Sequence, residues 1–164
     1  MIKITDGLIK SVSDKAKASP RKRINYNFHQ SYDEPLQRLL NAAELGTYIQ
    51  PHKHEDPGKT EVFIILKGSV VVVEFDDAGN IIDHVILDSE KSAANIARAV
   101  EIPPGAWHTF ITLEPGSVLY EAKDGPYNKA IDKNFAPWAP REGDERCAGF
   151  NDRILAKLDL RFSK

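Results

Sequence analysis

Apolar positions divide the chain into one helical segment followed by a long series of short strands. Ile4, Leu8, Ile9, Val12 and Ala16 recur at helical spacing, so a helix is expected from about residue 5 to residue 18. Ser19-Pro20 ends it, because the proline ring disfavours helical backbone in the residue before it. The period then changes to two: Ile24, Tyr26 and Phe28 alternate with Asn25, Asn27 and His29, as in a strand with one polar face. Runs at 36–40, 47–54, 60–66, 69–75, 81–87, 100–102, 107–113 and 117–123 read as further strands. Turn-forming sequence separates them, notably Asp76-Asp77-Ala78-Gly79-Asn80 and Glu114-Pro115-Gly116. Residues 89–97 are polar and alanine-rich and read as a loop or a helical turn. From 124 to 149 proline, glycine and charge dominate, and Ile154, Leu155 and Leu158 suggest a short final helix. Many short strands with turns between them predict an all-β sandwich or barrel over roughly 24–123, in one domain spanning 1–164. The helix at 5–18 precedes it, and an irregular extension, 124–164, drapes over it.

Composition narrows the function classes. The 164 residues suit one domain, and 41% hydrophobic content supplies one sizeable core. Lys and Arg number 22 against 24 Asp and Glu, a net charge of −2 that argues against nucleic-acid or membrane-surface partners while leaving small anionic ligands open. A single cysteine, Cys147, precludes an intrachain disulfide framework and fits a reducing compartment. The N-terminus shows no apolar signal region and no run approaches the ~20 residues of a membrane helix, so the expected location is the cytoplasm. Exposed sheet edges and the apolar residues Phe135 and Trp138 in the tail predict a homodimer.

The chemistry lies in the histidines. His52 and His54 are two apart in extended chain, and side chains two apart in a strand share a face. The polar loop 55–59 leads to Glu61 at the start of the next strand, which an antiparallel pairing would return to the same end of the sheet. His108 begins a distant strand, where its neighbour Trp107 should face away and pack. Imidazoles with one carboxylate suit one divalent transition metal ion (Zn, Fe, Mn or Ni) and leave coordination positions open for a ligand. Around that centre, Asn27 and His29 are candidates for substrate contact, or else the solvated face of an edge strand. Arg38, between Leu36 and Leu40, would need an anionic partner if buried, either in a structural ion pair or in a substrate. Tyr120 is a candidate general acid or base, with packing as its ordinary role. Glu121 and Lys123 face the side opposite Tyr120, and sequence does not tell which side is the pocket.

These residues resemble the two motifs of the cupin superfamily. Gly46, His52, His54, Glu61 and Gly68 fill the first, with a lengthened gap before Glu61; Pro103, Gly105 and His108 fill the second, where Thr112 stands in place of an asparagine and Ala97 in place of a glycine. Further segments, 19–29, 35–40, 118–127 and 135–140, resemble the WbuC family of cupin-fold metalloproteins, whose members are associated with bacterial surface-polysaccharide gene clusters. The resemblance implies a cupin jelly-roll barrel. It also implies a metal-binding protein that binds or acts on a sugar or sugar nucleotide, with metal-dependent isomerase- or epimerase-like catalysis open. A mononuclear iron oxygenase and a non-catalytic small-molecule-binding module are the alternatives, because one fold hosts many activities.

Overall fold

The computed structural model describes residues 1–162. Thr5 caps helix α1 (Asp6–Ala18) by accepting the Leu8 N–H on its hydroxyl, 3.3 Å, which satisfies one of the otherwise unpaired first-turn donors. The strands are β1 (Arg23–Asn27), β2 (Leu36–Ala43), β3 (His52–Lys53), β4 (Glu61–Lys67), β5 (Ser69–Phe75), β6 (Ile81–Asp88), β7 (Ile96–Ala97), β8 (Ala99–Ile102), β9 (Trp107–Thr112), β10 (Ser117–Asp124) and β11 (Asn134–Phe135), followed by helix α2 (Cys147–Lys157). They form a five-stranded sheet, β1-β2-β10-β4-β8, and a six-stranded sheet, β11-β3-β9-β5-β6-β7, antiparallel throughout except for β6 with β7. The sheets stack face to face as the two-sheet cupin jelly roll, and they are not closed into one continuous barrel.

Strand alternation sorts the side chains into three apolar layers. Between the sheets lie Phe63, Ile65, Val70, Val72, Leu87, Phe110 and Leu119. On the outer face of the five-stranded sheet, Leu40, Ala42 and Val118 receive Val12 and Ala16 of α1. On the outer face of the six-stranded sheet, Val71, Val73, Phe75, Trp107 and Ile111 are covered by Ala136, Ala139 and the α2 residues Ile154 and Leu155. The middle of the six-stranded sheet is thus covered on both faces, which explains the near-continuous burial of β5 and β9.

The elements differ from the sequence reading in places with identifiable causes. The expected strand at 47–54 contracts to His52–Lys53, because side chains satisfy its backbone carbonyls: Arg23 donates to Tyr48 O at 2.6 Å, Asn151 to Thr47 O at 3.0 Å and Thr109 to Ile49 O at 2.7 Å. Within the expected loop at 89–97, Ile96–Ala97 pairs with β6, and within the irregular tail Asn134–Phe135 pairs with β3. The final helix begins earlier than the apolar residues alone suggested, at Cys147. The last two positions of the 124–164 extension lie outside the described residues.

Candidate metal centre

Register brings the four candidate ligands together. His52 on β3 is the direct cross-strand partner of His108 on β9, with ring centroids 4.6 Å apart. His54 follows β3 by one residue, 5.2 Å from the His52 ring and 5.8 Å from that of His108. Glu61 opens β4 in the opposite sheet, so the cluster bridges the two layers. All four are buried, and their nearest ligand atoms lie within 4.8 Å of one another.

Hydrogen bonds fix which nitrogen each ring presents. Nδ1 of His52 meets Gln50 O at 3.0 Å, Nδ1 of His108 meets Ala106 O at 3.0 Å, and Nδ1 of His54 meets Asp132 O. A carbonyl only accepts, so each Nδ1 carries a proton and each Nε2 turns its other site inward. The Nε2 atoms of His52 and His54 are buried without a hydrogen-bond partner, while Nε2 of His108 lies 2.9 Å from Oε2 of Glu61. A proton between His108 and Glu61 would satisfy that pair and leave the other two nitrogens orphaned. A metal ion at their common focus satisfies all four, and backbone carbonyls behind ligating imidazoles are the usual outer support of such a site. The residues therefore fit a divalent transition metal.

The electrostatics agree with an ionised Glu61 carboxylate beside a neutral His52. Burial, assisted by Lys133 and His108, holds His52 well below the usual 6.5. Burial raises the Glu61 carboxyl, yet the hydrogen-bonded His108 and the His54 ring nitrogen 3.4 Å away outweigh it and hold Glu61 well below 4.5. Beside it on β10, burial and the Glu61 charge push Glu121 up to about 8.

Sequence reasoning missed a second group behind the ligands. The Asp132 carboxylate accepts from Lys59 at 2.8 Å and Lys123 at 2.6 Å, all three buried, and its carbonyl holds His54. The only sequence signal for it was the alternation that sets Glu121 and Lys123 opposite Tyr120. A cavity of about 700 Å³ is separated from the four ligands by Gln50, Asp132 and Glu121, wall residues that touch His52, His54 and Glu61. Asn27 and His29 line this cavity, and Nε2 of His29 has no partner. Lys133, an exposed residue, also opens on to it.

Two other candidates lie elsewhere. Tyr120 packs on the α1 side of the sheet, its ring 6.1 Å from Phe28, because the alternation that turns Glu121 and Lys123 inward turns Tyr120 outward. Arg38 points outward from β2, between Gln37 and Leu39, which both line the cavity, and its guanidinium pairs with Glu34. It makes the structural ion pair, outside the cavity.

The family model described as a domain of unknown function (DUF6016) matches residues 4–87. No curated protein sequence matches the chain. Among solved structures, the capsular polysaccharide assembling protein CapF from Staphylococcus aureus is similar, at TM-score 0.54 and 19% identity, over 69% of this chain and 31% of that one. Protein SO0799 from Shewanella oneidensis aligns at TM-score 0.56 and 12% identity, over 82% of this chain and 85% of that one. The chain thus spans about a third of the length of CapF, and these likenesses establish the fold. Among the described residues no helix is long and apolar enough to cross a membrane.

Proposed function

The chain belongs to the DUF6016 family, a domain of unknown function, and from its site we propose a metal-binding cupin that binds or acts on a sugar or sugar nucleotide in polysaccharide metabolism. The observation that carries the metal is the pair of buried, unpartnered Nε2 atoms of His52 and His54, focused with His108 and Glu61. We assign His52, His54, Glu61 and His108 as ligands. A divalent ion there would polarise a carbonyl or hydroxyl oxygen of the ligand.

The cavity argues for a polyhydroxylated ligand. Asn25, Asn27, Gln37, Asn41 and Gln50 line it with side-chain amides, which both donate and accept as sugar hydroxyls require. Tyr32 and Tyr127, ring centroids 4.9 Å apart, add flat apolar faces beside them. A volume of about 700 Å³ lies within the range of small-molecule sites. Asn41 donates to Glu121 at 2.9 Å, which steadies the one carboxyl on the wall next to Glu61 and makes it the candidate for holding or moving a proton. The likeness to CapF, a capsular polysaccharide assembling protein, and the sequence resemblance to WbuC-family proteins both support a place in polysaccharide metabolism.

Elemental analysis of protein purified without added metal tests the first half. About one ion per chain is expected, falling to a small fraction in His52→Ala and His108→Ala. Full occupancy in both variants, or no binding of Zn, Fe(II), Mn or Ni under any condition, would remove the site. Thermal-shift measurements across sugars and sugar nucleotides test the second half, because a ligand bound by the folded state raises the melting temperature. Stoichiometric iron with oxygen consumption and no sugar response would instead identify an oxygenase.

A further inference from the structure

The charges on the cavity wall carry the reading further. Among the described residues Glu142 is the only carboxylate paired with Arg21 and Arg23, at 2.7 Å from each, and Asp132 is shared in the same way by Lys59 and Lys123. Each of these carboxylates is outnumbered two to one. Lys129 and Lys133 line the same cavity and form no ion pair with a carboxylate among the described residues. With Glu121 and, just behind it, Glu61 included, six cationic side chains on or just behind the wall face four carboxyl groups. The whole chain has a net charge of −2, so this excess is local to the cavity. A local excess of positive charge raises the concentration of anionic ligands at the cavity.

We propose that the ligand is an anionic carbohydrate, a sugar bearing a carboxylate or a phosphate, whose acidic group is bound by Lys133 and Lys129 while its hydroxyls meet the wall amides. This rests on the carbohydrate reading above and narrows it. A neutral sugar would leave Lys129 and Lys133 with no direct ion-pair partner among the described residues, whereas an oxyanion supplies charge-assisted hydrogen bonds to both.

Isothermal titration of the metal-loaded full chain with glucose, glucuronate, glucose 1-phosphate and inorganic phosphate tests it. Either glucuronate or glucose 1-phosphate should bind at least ~10-fold more tightly than glucose, the worth of one charge-assisted hydrogen bond, and the tighter of the two identifies the acidic group. That advantage should shrink as salt is raised. In Lys129→Gln/Lys133→Gln loaded with metal to the native content it should fall about 10-fold or more, while glucose binding changes far less. Equal binding of charged and neutral sugars, or a double variant that keeps the preference, overturns the anionic assignment and leaves the carbohydrate reading standing. Inorganic phosphate binding as tightly as glucose 1-phosphate, with neither glucose nor glucuronate bound, overturns it in favour of a simple anion site. Binding of metal but of none of the four probes overturns both readings.

Discussion

Tyr48 shows what a single buried hydroxyl contributes away from the metal. Its O–H donates to Pro140 O at 2.6 Å, and its ring meets Phe150 edge-on at 6.0 Å, so one residue ties the segment before β3 to the tail. Tyr48→Phe keeps the ring and removes the donor, and it should cost about 1 kcal/mol near neutral pH. Burial raises the phenol above its usual 10.0 in the folded chain. The folded state therefore holds its proton where the unfolded state loses it. Stability contributed by Tyr48 is fully present below pH 10.0 and is lost as pH rises through the folded value. One pH unit above 10.0 the penalty is about 1.4 kcal/mol, so the advantage of the native protein over Tyr48→Phe should vanish between about pH 8 and pH 11. Chemical-denaturation midpoints of both proteins at the two pH values measure this; a difference that stays constant would mean that Tyr48 ionises as freely folded as unfolded.

At the scale of elements, α1 decides which face of the five-stranded sheet becomes the site. Its stripe of Leu8, Ile9, Val12 and Ala16 needs an apolar partner, and the face bearing Leu40, Ala42 and Val118 provides one, leaving Asn41, Glu121 and Lys123 to the interior. The stripe and the alternation were legible in the sequence, and so was the opposition of Tyr120 to Glu121. Their pairing was not, since docking a helix on a sheet depends on residues far apart in the chain. The same limit applies to β11, a two-residue pairing with β3 that no local period announces. It applies also to Asp132, which reaches His54 across 78 positions. By contrast Gly68 was legible as part of a motif and is explained by geometry: its φ is +74°, and an added Cβ would stand 2.5 Å from the Ser117 hydroxyl oxygen. Leu40→Ala should open a cavity under α1 and cost about 2–5 kcal/mol in denaturant unfolding. Because Leu40 lies on the face away from the ligands, metal content of the refolded variant should equal that of the native protein. A loss of metal in proportion to the loss of stability would show that α1 and the metal centre form one cooperative unit.

At the scale of the molecule, the metal centre is a junction between segments that are remote in sequence. His52 comes from β3, Glu61 from the facing sheet and His108 from β9, and the tail reaches His54 through the Asp132 carbonyl. No unfolded chain holds these groups together, so an ion bound by the four is bound by the folded state, and its binding energy adds to folding stability. At free metal about 100 times the dissociation constant the gain is ~2.7 kcal/mol. For a chain of this size each kcal/mol raises the melting temperature by about 2–4 °C, so loaded protein should melt about 5–10 °C above chelator-treated protein. Four inward-facing ligand atoms freed of the ion account for the loss, and restoring the ion should recover it. His52→Ala removes one ligand and should abolish most of the response, while an exposed ion pair such as Lys10 with Asp14 can be broken without touching it. Differential scanning calorimetry with and without chelator decides the matter: a melting temperature indifferent to metal in the native protein would mean that the four residues form a hydrogen-bonded cluster, with the proton between His108 and Glu61 as its only shared charge.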